Sequence, residues 1–299
     1  MPSTQCDPLR RQGYQFFSPA STAALKPCMW CKRALQGGEM CYKHQFYGID
    51  SHRCVQMTPT LRCNQRCLFC WRSFEHEPQE DVECPPETIL AGLHKYQKKA
   101  LAGYNAVLDN TVTDERWQEA IDPKHIAISL SGEPTLYSQL PELIDRLHDN
   151  GYTTFLVSNG TNPEMLRRCN PLQMYISLDA PDRETYHAIC RPQENYWDRI
   201  QESLRLLGTR RSAIRITLVK GLNDFAPEQY AAILQESGAT FVEIKGYMYL
   251  GYSRNRLARE NMPEHAEVRA FAEKVEAACD YRFKDENKLS RVVVLEHMT

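Results

Sequence analysis

Features that would place the chain at a membrane or in an oxidising compartment are missing from the sequence. No apolar run approaches the roughly 20 residues that span a bilayer, so we expect no membrane partner. Nothing before Cys28 has the basic-then-apolar layout of a secretory signal. We therefore expect a cytoplasmic protein without a disulfide framework. The formal net charge of -2 gives no global attraction to nucleic acid, so RNA contacts must come from local patches.

Cysteine is the unusual component of an otherwise ordinary composition. The chain has 299 residues, of which 42% are hydrophobic and 25% are charged, enough to bury a large core. Its twelve cysteines are numerous and clustered. In a chain without a disulfide framework, such clustering indicates metal binding.

Cys63, Cys67 and Cys70 form a compact C-x3-C-x2-C triad directly after a short predicted strand at 57–61. Three thiolates at this spacing can bind three irons of a 4Fe-4S cluster and leave the fourth iron open. The alternative is structural zinc, with Cys84 or another thiol completing a tetrahedron. The triad resembles that of the radical SAM superfamily, in which S-adenosylmethionine (SAM) chelates the open iron.

A second group of cysteines lies upstream. Cys28, Cys41 and Cys54 are separated by equal intervals of 13 residues. Three thiolates could hold a second open-iron cluster, whereas the same three together with Cys31 would make an all-thiolate zinc site. The C-x2-C spacing of Cys28 and Cys31 slightly favours zinc.

The block from Cys41 to Cys54, followed by the triad, resembles the archaeal tRNA 4-demethylwyosine synthases, a radical SAM family. The resemblance implies that Cys28, Cys41 and Cys54 hold an auxiliary 4Fe-4S cluster, and that Cys31 lies outside the ligand set. It also implies a catalytic role for Lys43, at the position of a lysine proposed to form a Schiff base with pyruvate. A second proposal has pyruvate chelate the open iron of the auxiliary cluster, and the alternative is a solvated lysine.

Near-continuous apolar strands alternate with helical stretches, which indicates a parallel sheet buried on both faces. The predicted strands are 57–61, 125–130, 153–158, 174–178, 214–219 and 240–245. The predicted helices are 86–103, 140–148, 163–169, 183–189, 197–207, 227–237 and 263–278, before an edge strand at 291–296. About six parallel strands fit a partial (β/α)6 TIM-like barrel, as in the radical SAM superfamily, better than a full barrel. We expect a cysteine-rich extension at 1–54, the barrel at 55–250 and a C-terminal extension at 251–299.

Polar residues follow the predicted strands where a barrel places its chemistry. The resemblance implies that they bind SAM, the glycine and glutamate receiving its amino group: Gly132, Glu133, Ser158, Asn159, Ser177 and Asp179. Because Ser, Asn, Gly and Asp are also common turn residues, the alternative is a set of ordinary turns.

Aromatic and basic residues alternate after the last strand. Tyr252, Arg254 and Arg256 could stack on bases and pair with phosphates of single-stranded RNA. The alternative is an ordinary loop that enters a basic helix.

The resemblance implies that N1-methylguanosine beside the tRNA anticodon gains a third ring built with carbons from pyruvate. Reductive SAM cleavage at the triad would give a 5′-deoxyadenosyl radical, which would abstract hydrogen from the base methyl group. We expect a monomer served by a separate electron donor, because no flavin-binding domain is attached. The alternatives are another radical SAM enzyme with an auxiliary cluster, such as a peptide-maturing enzyme, and a non-catalytic zinc-bearing RNA-binding protein.

Overall fold

The chain forms two compact units in the computed structural model, which describes residues 7–74, 81–106 and 112–298, with backbone alone at 7, 105 and 106. The first unit comprises the described residues of Met1–Arg62, Glu75–Val157 and Arg168–Leu172. The second comprises those of Cys63–Phe74, Ser158–Arg167 and Gln173–Thr299. The predicted division at residues 54 and 250 stays a prediction.

The first unit contains a mixed run of strands. These are β1 (Gln15–Phe16), β2 (Ala24–Leu25), β3 (Cys54–Thr58), β4 (His125–Ile128) and β5 (Thr153–Ser158), whose last residue belongs to the second unit. The first three pair antiparallel, and β3, β4 and β5 pair in parallel. Val55, Met57 and Ile126 are fully buried, as expected for parallel strands covered on both faces.

The helices of the first unit are α1 (Asp7–Arg11), α2 (Met29–Leu35), α3 (Tyr42–Tyr47), α4 (Pro86–Ala106), α5 (Asp114–Ile121) and α6 (Leu140–Asp149). Helix α4 begins at its predicted proline, which suits a position whose N–H has no partner within the helix. Cys28 and Cys41 are the N-cap residues of α2 and α3, so two auxiliary cysteines lie where short helices begin.

The second unit continues the alternation of strands and helices. Its strands are β6 (Gln173–Ser177), β7 (Ser212–Leu218), β8 (Phe241–Gly246), β9 (Tyr281–Asn287) and β10 (Val292–His297). Its helices are α7 (Pro163–Arg168), α8 (Arg183–Cys190), α9 (Trp197–Arg205), α10 (Pro227–Ser237) and α11 (His265–Glu276). Strands β6, β7 and β8 are parallel, whereas β10 lies antiparallel between β8 and β9.

The prediction of an edge strand at 291–296 was wrong. A strand is present there, but β10 pairs on both sides, and Val292, Val293 and Val294 are fully buried. The outer neighbour is β9, with the sequence YRFKDEN, whose charged side chains suit an edge open to water. Its weak apolar pattern explains why it was missed.

The other predicted elements are present with boundaries shifted by a few residues. Strand β3 ends at Thr58 rather than at the predicted residue 61, because Pro59 interrupts it. The short strands β1 and β2 and helices α1, α2, α3 and α5 were not predicted. Residues 75–80 lie outside the described residues; they belong to the acidic, proline-bearing stretch 75–86 that the sequence predicts as a loop. In the part of the chain that the structure describes, no helix has the length and apolar character needed to cross a bilayer.

Candidate active site

The three auxiliary cysteines lie at the start of three separate elements. Cys28 and Cys41 precede α2 and α3, and Cys54 opens β3; all three side chains are half-buried. Main-chain hydrogen bonds fix this arrangement. The Cys31 amide donates to Cys28 Sγ at 3.3 Å, and the Cys41 amide donates to Ser51 Oγ at 2.9 Å.

The thiols of these cysteines share one electrostatic environment. Burial raises the pKa of Cys54, and the neighbouring Cys28 and Cys41 thiols raise it further. Burial also raises the pKa of Cys28, while the Lys43 ammonium opposes the rise at both Cys28 and Cys54. Bound iron would stabilise such thiols as thiolates. The residues therefore fit a cluster.

Lys43 lies in the first turn of α3, two residues after Cys41. Its side chain is half-buried, and its Nζ lies 5.4 Å from the centroid of the Phe155 ring on β5. Together with its charge effect on the Cys28 and Cys54 thiols, this position directs an amine toward the auxiliary cysteines.

Cys31 is more deeply buried than the three predicted ligands, and the Cys28 and Cys54 thiols lie near enough to raise its pKa. It is fully buried, and its Sγ donates to the His52 carbonyl at 3.8 Å. It packs in an apolar cluster with Leu35, Leu101 and Trp117, and burial raises its thiol pKa well above the usual value. Such surroundings are typical of a structural thiol. Among the described residues, no three His, Cys, Asp or Glu side chains are arranged to hold a single metal ion.

Gly132 and Glu133 follow β4 in the first unit and pack against the segment that leads into the triad. Gly132 has φ +76°, and a Cβ there would lie 2.1 Å from the Thr60 oxygen and 2.8 Å from the Arg62 oxygen. The Glu133 amide donates to the Arg62 oxygen at 2.7 Å. The buried Glu133 carboxylate accepts from the Thr135 amide at 3.0 Å and its hydroxyl at 2.7 Å, which fixes its direction.

In the second unit, the cysteine triad lies on a loop held by its own polar residues. Asn64 donates to Thr161 Oγ1 at 2.8 Å and accepts from Asn159 Nδ2 at 2.8 Å. Gln65 donates to the Tyr186 hydroxyl at 2.8 Å and accepts from Cys67 Sγ at 3.3 Å. The motif thus brings a predicted SAM-binding residue, Asn159, to the cysteine loop.

The triad thiols are all half-buried. The pKa of Cys67 lies well above its usual value, chiefly because of its hydrogen bond with Cys190, with burial and the Cys190 and Cys70 thiols adding to the rise. Cys190 itself is buried. Its position beside Cys67 was not predicted, because it lies 123 residues away at the end of α8.

A recess next to the triad loop contains about 240 Å³ of empty space, open solvent included. Three predicted SAM-binding residues line it: Asn159, Ser177 and Asp179. The other lining residues were not predicted: Gln65, Tyr186, Cys190, Trp197, Leu178 and Ile200. Amide, carboxyl and aromatic groups are the kinds that orient a bound small molecule, in a space below the roughly 300 Å³ at which such sites begin. Gln65 could have been found from the sequence, because it lies within the cysteine motif.

Asp179 is a buried carboxyl group in this recess. Burial raises its pKa to about 6, although the Thr217 amide donates to its Oδ1 at 2.7 Å. Asn223 donates to its main-chain oxygen at 2.8 Å and so fixes the loop. Ser158, by contrast, accepts from the Gly160 amide at 3.0 Å, as in an ordinary turn. Its role in SAM binding stays a prediction.

The predicted RNA-binding residues differ in their contacts. Arg254 is exposed, and its Nε donates to the Gly251 carbonyl at 3.2 Å. Tyr252 and Arg256 are half-buried, and the Arg256 guanidinium donates to carbonyls of the cysteine loop. An RNA contact of these residues stays a prediction, and Arg254 is the best placed for one.

Two family models match the chain: the radical SAM superfamily at residues 57–234 and wyosine base formation at 236–297. Similar proteins include the S-adenosyl-L-methionine-dependent tRNA 4-demethylwyosine synthases of Pyrococcus abyssi and Methanocaldococcus jannaschii. The first is 42% identical over 99% of this chain and 89% of the relative, and the second is 39% identical over 97% and 94%.

Two solved structures have the same fold. One is a structure of TYW1 with a lysine-pyruvate adduct bound, with a TM-score of 0.89 and 38% identity over 99% of this chain and 96% of that chain. The other is archaeal TYW1, with a TM-score of 0.82 and 34% identity over the same shares. They confirm the predicted α/β fold class, a partial barrel of the radical SAM type.

Proposed function

The chain belongs to the tRNA 4-demethylwyosine synthase family of the radical SAM superfamily, and from that premise we propose its reaction and the residues that perform it. The enzyme condenses N1-methylguanosine next to the anticodon of tRNA with pyruvate to form tricyclic 4-demethylwyosine. The observation that carries this proposal is the position of Lys43, whose charge acts on two of the auxiliary thiols.

Cys63, Cys67 and Cys70 hold the 4Fe-4S cluster that the superfamily uses with SAM. Bound there, the cluster supplies the electron that cleaves SAM and so starts the radical chemistry. The residues of the recess bind SAM, with the Asp179 carboxyl and the Asn159 amide as hydrogen-bonding groups. Gly132 lets the main chain approach the segment before the triad, and Glu133 presents a buried carboxylate to the amino group of SAM.

Cys28, Cys41 and Cys54 hold the second 4Fe-4S cluster, and Lys43 binds pyruvate beside it. The Lys43 amine attacks the keto carbon of pyruvate, and water leaves as the Schiff base forms. This reaction needs a neutral amine, which a desolvated setting favours. Lys43 is half-buried, with its Nζ 5.4 Å from the centroid of the Phe155 ring. The lysine-pyruvate adduct in the TYW1 structure supports this assignment.

Lys43→Arg separates the charge of the lysine from its chemistry. Arginine keeps a positive charge near Cys28 and Cys54 but has no primary amine, so we expect normal iron content and no tricyclic product. Borohydride reduction with labelled pyruvate should mark the peptide that contains Lys43 in the parent enzyme. Lys26→Arg is the control, because burial lowers the pKa of the Lys26 amine and makes it a second candidate for a reactive amine. Full product formation by Lys43→Arg would exclude the Schiff base.

The partners follow from the same reaction. The substrate is tRNA, a separate protein supplies electrons, and the enzyme acts as a cytoplasmic monomer. The decisive experiment is anaerobic reconstitution followed by incubation with SAM, pyruvate, a reductant and tRNA methylated at the guanosine. Mass spectrometry of the digested tRNA should then show the tricyclic nucleoside. Its absence from a preparation with about eight irons per chain, as two cubane clusters require, would refute the proposed reaction.

A further inference from the structure

The segment from Gly251 to Leu257 holds the loop that carries the last two cysteines of the triad. We propose that Arg256 is a positioning residue that fixes this loop for cluster and SAM binding, a role that rests on the proposed function of the triad. It acts through the main chain on either side of Cys70. Each contact of the segment described below lies within the second unit.

Arg256 donates to three alternate carbonyls of the loop main chain. Its Nε donates to the Leu68 carbonyl at 3.1 Å, and its Nη2 donates to the Cys70 carbonyl and to the Arg72 carbonyl at 3.3 Å. The guanidinium carbon also lies 4.3 Å from the centroid of the Phe74 ring. A planar guanidinium can serve several acceptors and stack on a ring at once, which a lysine ammonium cannot do.

The main chain of the same segment contacts the loop at Trp71. The Tyr252 amide donates to the Trp71 carbonyl at 2.9 Å. Gly251 makes this approach possible, because it has φ +59° and a Cβ there would lie 2.3 Å from the same oxygen. Carbonyls at 68, 70, 71 and 72 therefore all accept hydrogen bonds from one short segment more than 170 residues away in sequence.

The segment is itself attached to a rigid part of the unit. Leu257 packs with Val219 and Tyr247, and Leu68 and Phe69 of the cysteine loop pack on the same cluster. Ser253 is buried, and its Oγ lies 2.9 Å from the Tyr247 hydroxyl. The loop is thus held through its carbonyls and through two apolar side chains.

Hydrogen exchange in the metal-free protein tests this role independently of the reaction. In Arg256→Ala, the amides of Leu68 and Tyr252 should exchange roughly tenfold faster or more, equivalent to about 1.4 kcal/mol of lost protection per factor of ten. In Arg256→Lys, the exchange rates should lie between those of the parent protein and those of Arg256→Ala, because an ammonium serves one carbonyl at a time. Arg254→Ala is the matched control: it removes the same charge from the segment Gly251 to Leu257 and should leave the exchange rates of both amides unchanged.

The loaded protein gives the second readout. After anaerobic reconstitution, Arg256→Ala should lose iron to a chelator roughly tenfold faster than Arg254→Ala, and SAM should no longer alter the electron paramagnetic resonance signal of the reduced cluster. Equal exchange and equal iron loss in the two variants would overturn the proposal. If Arg256→Ala unfolds, the comparison of Arg256→Lys with Arg254→Ala decides it. A parent protein without iron would refute the cluster assignment alone, since exchange still reports on the loop.

Discussion

Alanine at Gly132 is expected to destabilise the protein far more than alanine at Gly151, although both glycines have the same unusual backbone angle. Their φ values are +76° and +79°, in the left-handed region that costs other residues about 1–2 kcal/mol. Nothing lies within 4 Å of a Cβ added at Gly151, whereas the Thr60 oxygen lies 2.1 Å from one added at Gly132. The two substitutions therefore share backbone strain and differ in overlap with the main chain.

The overlap at Gly132 sets the size of the expected difference. Overpacking costs about 1–3 kcal/mol where neighbours can shift, and more where they cannot. The Arg62 oxygen, 2.8 Å from the added Cβ, cannot move freely because it also accepts from the Glu133 amide. We therefore expect Gly132→Ala to lose about 3 kcal/mol or more beyond Gly151→Ala. In a protein of 299 residues, that corresponds to a gap of roughly 5 °C in melting temperature.

Gly160 provides an intermediate case with φ +76°. The atom nearest to an added Cβ is Ile176 Cγ2 at 2.8 Å, a side-chain methyl group that can shift. Thermal unfolding of the metal-free variants, followed by circular dichroism under reducing conditions, should give the order Gly151→Ala, Gly160→Ala, Gly132→Ala from most to least stable. Equal melting temperatures for Gly132→Ala and Gly151→Ala would refute the close approach of residues 60 to 62.

Three further substitutions test the site. Burial raises the pKa of Asp179 from 3.8 to about 6, so the folded state holds the proton more tightly than the unfolded state does. The free energy of unfolding should therefore fall as the pH rises from about 4 to 6. Asp179→Asn should remove about 3 kcal/mol of that loss in a pH series of melting curves. Cys31→Ala should keep all the iron, whereas Cys28→Ala should lose about four irons per chain in iron analysis. Arg254→Ala should weaken tRNA binding and reduce its salt slope by about 1 in titrations, whereas an unchanged slope would argue against a phosphate contact.

Strands and helices with strong local patterns were predicted well from the sequence. Helix α10 (Pro227–Ser237) was predicted with the bounds that the structure shows, because a proline begins it and Gly238 ends it in the left-handed region. Strand β5 (Thr153–Ser158) was likewise predicted with its observed bounds, since it is a short apolar run between turn residues. Strand β9 has no such pattern, and it became recognisable only through its pairing with β10.

In the candidate site, too, local signals could be predicted from the sequence and nonlocal contacts could not. The cysteine spacing and the polar strand ends are local signals, and the structure brings Asn159, Ser177 and Asp179 to one recess. The partner of Cys67 and the partners of Arg256 depend on contacts between distant segments. Spacing also could not separate Cys31 from its neighbours. Its burial results from packing against Leu101 and Trp117, which follow about 70 to 86 residues later.

These nonlocal contacts explain how an irregular loop can hold its shape. The described residues from Pro59 to Phe74 form no helix or strand apart from one bridge between Gln65 and Pro192. Their carbonyls nevertheless find donors: the Glu133 amide serves Arg62, and Arg256 serves Leu68, Cys70 and Arg72. Buried main-chain oxygens need such partners wherever secondary structure provides none. Because remote groups supply them, these main-chain contacts hold the loop without using any of the triad thiols.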